Sequence, residues 1–386
     1  MNRHTSINRA LATTAVALGA ALSLGVGPAV AATDASGWGQ LPLAPKGSIT
    51  KMAAVGTDTV FASTQWDCSM SGESWTCGQT WQLKGTTWSQ FKLPAQLSGT
   101  PTVAGTGAGD TWFLGSGTAA QAFHWDGTAW VDRSPSPAVA GYDARDAVAL
   151  SATSAWSVGT TTTNYDHRTD TATVGRWNGT RWTVSKLPAP TGRTTTLNSV
   201  SAAAENDVWA SGEQCRDTGN DRCQPYLAHW DGTAWSQVAV PDSSPRSLTN
   251  TRVVSRGGEV FVGGRETDLT TRTQPDRIVA LHWDGAAWTR SVLPVTVSAD
   301  GWYSYLNGLV YRGTEVFAAV SHTANEGVLR WNGQAWEPYA GPLTTTPTVT
   351  ALVPTVDGRV LAAGNGTDAS GAHDFLSYLP ATAPVK

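Results

Sequence analysis

The heptapeptide HWDGTAW at residues 124–130 decides how this chain is read, because it returns along the sequence almost letter for letter. HWDGTAW recurs at 229–235, HWDGAAW at 282–288, RWNGTRW at 176–182, RWNGQAW at 330–336, and a looser WQLKGTTW stands at 81–88. Asp-Gly or Asn-Gly between two apolar runs is tight-hairpin chemistry, since these residues tolerate the positive φ that such turns need. A hairpin reused at a period of about 40 to 55 residues indicates a repeat architecture.

A second signal recurs as well: a short strand after a polar turn, aromatic-centred in the clear copies and weaker in the first and last. The copies are TVFAST at 59–64, DTWFLG at 110–115, SAWSVG at 154–159, DVWASG at 207–212, EVFVGG at 259–264, EVFAAV at 315–320 and RVLAAG at 359–364, which makes seven units. Each unit reads as four strands. In the fourth, Leu197 to Ala202, Asp207 to Ser211, Tyr226 to Trp230 and Ala234 to Val240 follow one another, with the heptapeptide as the turn between the last two. That is one blade of a β-propeller.

The chain ends complete the pattern. Asp374 to Pro380 is a third strand with no fourth after it, and Ser36 to Pro42 is a fourth strand with nothing before it. Joined, they close an all-β, seven-bladed propeller over residues 32–386 by exchange of N- and C-terminal strands, leaving no raw edge.

The tryptophans indicate what the repetition is for. Of nineteen, twelve belong to the six heptapeptides, Trp38 lies in the closing strand, and Trp112, Trp156 and Trp209 share one second-strand position. Equivalent rings in every unit are what inter-blade packing demands. The copies therefore read as scaffold. His124, His229 and His282 share a position with Arg176 and Arg330, and this interchange reads as a surface-facing spacer, not a metal ligand.

Residues 1–31 read as a signal peptide: Arg3 and Arg9, an apolar run from Ala10, then Ala29-Val30-Ala31. The expected product is secreted. Leu379-Pro380-Ala381-Thr382-Ala383 resembles a sortase signal but lacks the Gly, apolar stretch and basic tail, so wall anchoring is not expected. Cys68 with Cys77 and Cys215 with Cys223 suit disulfides in an oxidising compartment. Each closes a loop of about 10 residues and is worth roughly 2 to 3 kcal/mol. The formal net charge of −4, with no basic run, argues against nucleic-acid binding.

Function is expected where the copies differ, in loops carried by the scaffold. Units one, three, four and five have long connections between second and third strands, all on one face. The first holds Trp66 and Trp75 beside its cysteines, rings suited to stacking on sugars or anchoring a protein partner. The third holds Tyr165, Asp166 and His167, the fourth Arg216 and Asp217, and Trp302 precedes the sixth unit near the channel mouth. These are the candidate ligand-binding residues. No G-x-S-x-G, H-E-x-x-H or C-x-x-C occurs, so no catalytic residue, metal ligand or cofactor is expected.

The W-D/N-G-x-x-W turns look like the Asp-box turns of sialidase-type propellers, although the full pattern is not kept and no sialidase site residue maps. The leader, the DVWASG-type strands and the WDGTAW turns together resemble the secreted seven-bladed propeller lectins of actinobacteria. Some of these are similar to lectin subunits of umbrella-shaped antibacterial toxin particles. The resemblance implies a non-catalytic glycan-binding module carried on an adaptor protein. A protein-protein assembly module and a sialidase-like glycoside hydrolase are the alternatives.

Overall fold

The computed structural model describes residues 37–70, 73–94, 97–116, 119–163, 169–216, 223–241, 246–268, 276–296, 304–321, 327–341, 348–368 and 371–381. The expected leader lies outside them. Twenty-eight strands form seven four-stranded antiparallel sheets, and no helix occurs among the described residues. Blade one is Ser48–Val55, Thr59–Met70, Glu73–Lys84 and Thr87–Phe91. Blade four is Arg193–Ala204, Asp207–Arg216, Gln224–Trp230 and Trp235–Val238, its first two strands longer than the alternation suggests.

Blade seven takes three strands, Thr348–Pro354, Val360–Asp368 and Gly371–Leu379, from the end of the chain and its outermost strand, Gly39–Gln40, from the beginning. Gly39 pairs with Tyr378 and Gln40 with Ser377. The propeller and its closure by strand exchange are thus as the sequence implies. Trp38, fully buried, fastens the closing strand by donating its indole N–H to Ala340 O at 2.7 Å.

At three seams the second-strand aromatic inserts between the heptapeptide rings of the following blade. Trp112 of blade two lies 5.0 Å from Trp177 and 5.2 Å from Trp182 of blade three. Trp156 of blade three meets Trp230 and Trp235 of blade four at 5.2 and 5.5 Å, and Phe261 of blade five meets Trp331 and Trp336 of blade six at 5.7 and 5.9 Å. Such pairs contribute about 0.5 to 1.5 kcal/mol beyond their burial. The tryptophan pairs are scaffold. The loose first copy needs a correction: Leu83, not Trp81, pairs with Trp88 as Trp125 does with Trp130. Trp81 instead donates to Thr64 Oγ1 inside blade one at 3.1 Å.

The acidic residue of each turn is used locally. Asp126 Oδ1 accepts the N–H groups of Thr128 and Ala129, each at 2.9 Å, and Asp231 and Asn178 cap their turns the same way. The Thr128 hydroxyl and these amides hold the Asp126 carboxyl at about 2.

The glycine that ends the second-strand motif has a separate cause. Every innermost strand is irregular at one level, for example between Ala144 and Asp146, Leu197 and Ser199, and Val349 and Ala351. At each β-bulge the backbone approaches the second strand closely. A Cβ on Gly159 would lie 1.9 Å from Asp143 O, and one on Gly212 1.8 Å from Thr196 O. Only glycine fits there.

Candidate functional site

An antiparallel meander puts the heptapeptide turns and the first-to-second turns on one face. Trp125 Nε1 donates to Ala108 O and Trp230 Nε1 to Glu205 O, tying the two kinds of turn together. The second-to-third connections and the links between blades occupy the other face. That face carries the variable sequence.

The shared His/Arg position is not the solvent-facing spacer that its interchange suggests. His124 stacks on Trp112 with centroids 4.2 Å apart and lies 2.7 Å from Asp110, the acid opening the second strand. His229 repeats this on Trp209 and Asp207, His282 on Phe261 and Glu259. Arg176 lies 5.0 Å over Trp156, while Arg330 pairs with Glu315 and Glu337. A flat cation or imidazole covers a ring at this position, and the three histidines and Arg330 also meet an acid, so His and Arg substitute for each other as structural plugs.

The first candidate loop is a β-hairpin. The second and third strands of blade one continue past the sheet, pairing Trp66 with Cys77 and Cys68 with position 75. The disulfide joins Cys68 to Cys77. Trp66 is half-buried, and the Lys46 ammonium stands 4.2 Å over its ring. One face of this indole is thereby occupied by a cation. The Trp75 side chain, Tyr165, Asp166, His167, Asp217 and Trp302 lie outside the described residues.

Arg216 is exposed at the end of the second strand of blade four, next to the Cys215–Cys223 disulfide. Its Cα partner across the ladder is Arg193. Both arginines line a cavity of about 540 Å³ together with Gln214, Gln224 and Gln237. No carboxylate lines it among the described residues. Arg193 and the three glutamines escape sequence reading because blade four's strands run beyond the apolar repeat. The only local sign is polar residues alternating where the repeat has ended. Glu213 lies near both sulfurs, but these are joined to each other and offer no thiolate to a metal.

Among the acids of the neighbouring blade, Glu266 is buried and bound by Arg290, with Arg246 Nε at 3.8 Å. Its charge is already matched by cations, unlike the open acid pair that glycosidic hydrolysis needs.

The bulges also build the channel. At their level polar bonds pass from blade to blade around the axis: Thr350 Oγ1 to Ile49 O at 2.8 Å, Ser63 Oγ to Pro101 O at 3.1 Å and Thr102 Oγ1 to Arg145 O at 2.9 Å. Arg145 Nη1 continues to Asn198 Oδ1 at 2.8 Å, and Asn250 N donates to Glu213 of blade four. Arg252 Nε then reaches Asn307 O at 3.2 Å, and Asn307 Nδ2 reaches Val349 O at 2.7 Å. The belt is closed. It encloses a cavity of about 720 Å³.

No known family's sequence profile matches the chain, and no curated protein does. Solved structures do. YCF48 bound to D1 peptide is 14% identical with a TM-score of 0.55, covering 91% of this chain and 99% of its own. The polysaccharide lyase Uly1 is 9% identical with a TM-score of 0.54, covering 87% and 91%. The β-propeller domain of the Trilobed protease from Pyrococcus furiosus is 8% identical with a TM-score of 0.53, covering 86% and 97%. At such identities the likeness shows the propeller fold alone.

Proposed function

We propose that this chain is a secreted, non-catalytic carbohydrate-binding propeller that recognises cell-surface glycans on its variable face. The observation that carries the reading is the groove of blade four. Arg193 and Arg216 stand opposite each other with Gln214, Gln224 and Gln237 around them. Planar guanidinium and amide groups offer paired donors and acceptors to ring hydroxyls, and two cations with no lining acid among the described residues favour sugars that bear carboxylates. The groove sits on rigid strand ends and beside a disulfide, which limits the entropy lost on binding.

The two disulfides suit export to an oxidising compartment. No helix of the described residues is long and apolar enough to cross a membrane. Carriage on an adaptor protein as the targeting subunit of a secreted antibacterial toxin complex extends the same reading. The stapled hairpin of blade one, projecting from the same face, is the element suited to hold such a partner.

A glycan array probed with the secreted protein, with and without calcium, tests the reading. Binding confined to uronate- or sialate-bearing glycans and lost in Arg193→Gln/Arg216→Gln supports it. A blank array, or binding that the double variant retains, refutes it.

A further inference from the structure

The channel contains unused hydrogen-bond donors on half-buried cations, a feature that the closed belt does not require. Lys51 and Arg252 both line the cavity, with Asp146 as the acid beside them. Among the described residues neither cation has a carboxylate oxygen within salt-bridge distance, although Asp146 is near enough to act on both through its charge. Lys51 Nζ makes one bond, to Arg145 O at 3.1 Å. Arg252 uses Nε on Asn307 O and Nη1 on Thr251 O at 3.3 Å, leaving Nη2 unspent.

The acids are satisfied by the wall instead. Asp146 Oδ1 accepts Ala147 N at 3.0 Å and Oδ2 accepts Val200 N at 2.9 Å. Glu213, set behind the wall, takes Asn198 Nδ2 at 3.0 Å and Asn250 N on Oε1. Burial raises the Glu213 pKa, which favours its neutral form, and burial lowers that of Lys51, a cost that an arriving negative charge relieves. The spare valence of this cluster is therefore donor and positive. Charged donors lining a narrow channel bind more strongly than in open water, so a ligand that supplies acceptors gains charge-assisted bonds there.

We infer that the axial channel is a binding site for a small free anion bearing two or more acidic groups, held between Lys51 Nζ and the Arg252 guanidinium. The Thr50, Thr102 and Thr350 hydroxyls, which line the same cavity, already donate to carbonyls of the wall, so the two cations supply the donors. This site is separate from the blade-four groove.

The test is isothermal titration of citrate and of inorganic phosphate into the full secreted protein in a weakly coordinating buffer, with Lys51→Met and Lys51→Arg alongside. Lys51→Met keeps the side-chain volume, and Arg145 O stays bonded because Thr102 Oγ1 also donates to it at 2.9 Å. The expected result is one site per chain, weakened about tenfold or more in Lys51→Met, as loss of a charge-assisted bond requires. Lys51→Arg should retain it, and the Arg193→Gln/Arg216→Gln variant should bind citrate as the parent does. No heat with either anion, or equal affinity in Lys51→Met, overturns the inference. Should Lys51→Met fail to fold, loss of citrate binding on Arg252→Gln against retention in Lys51→Arg decides the same point.

Discussion

His282 lies flat on Phe261, their centroids 4.1 Å apart and planes 6° from parallel, while its Nε2 meets Glu259 at 2.7 Å. The same acid, ring and imidazole recur in blades two and four, so the histidines of the heptapeptide are part of the inter-blade seal.

This seal is sensitive to acid. Burial acts to raise the pKa of Asp110, but the bonds from His124 and Thr106 outweigh it and hold the carboxyl below its ordinary value. A carboxyl depressed in the native state stabilises above its unfolded pKa and loses that contribution as pH falls through the native one. The melting temperature should therefore fall as pH drops below about 4, and Asp110→Asn should lack that part of the decline. Identical acid profiles for the two proteins would remove the assignment.

Gly212→Ala should cost roughly 1 to 3 kcal/mol, because the new methyl must displace the Thr196 carbonyl at the bulge. Gly107→Ala, whose Cβ meets nothing within 4 Å, is the control. Chemical denaturation of both measures the difference, and equal midpoints would mean that the bulge relaxes freely.

Arg216→Gln should weaken binding of an acidic glycan by about tenfold or more and leave the melting temperature unchanged, since Arg216 is exposed. Surface plasmon resonance on an immobilised uronate polymer reads it. A loss of stability matching the loss of binding would make Arg216 structural.

Trp66→Ala with Trp75→Ala distinguishes the hairpin from the groove. If the hairpin serves a protein partner, the double variant keeps the array signal and loses that partner in a pull-down from culture medium. Loss of glycan binding in this variant alone would move the sugar site to blade one.

The fold was legible because it rests on repetition: Asp-Gly turns, the aromatic of the second strand and its closing glycine each recur with a fixed physical task. The site was less legible because it depends on what repetition omits. Arg193 and Arg216 come together only through an extended ladder, and Lys51 and Arg252 only through closure of the ring. Their separations in sequence carry no period. The histidine position misled for a related reason, since substitution of His by Arg suggests solvent when both can cover a ring and meet an acid. Trp81 misled because its spacing to the turn differs by two residues from that of its counterparts.

The belt around the channel also has a mechanical meaning. It acts as a hoop: a tug on one blade, transmitted from a tethered surface, is shared with its neighbours through side chains that bridge every seam. The ring that carries the variable face therefore keeps its shape under load.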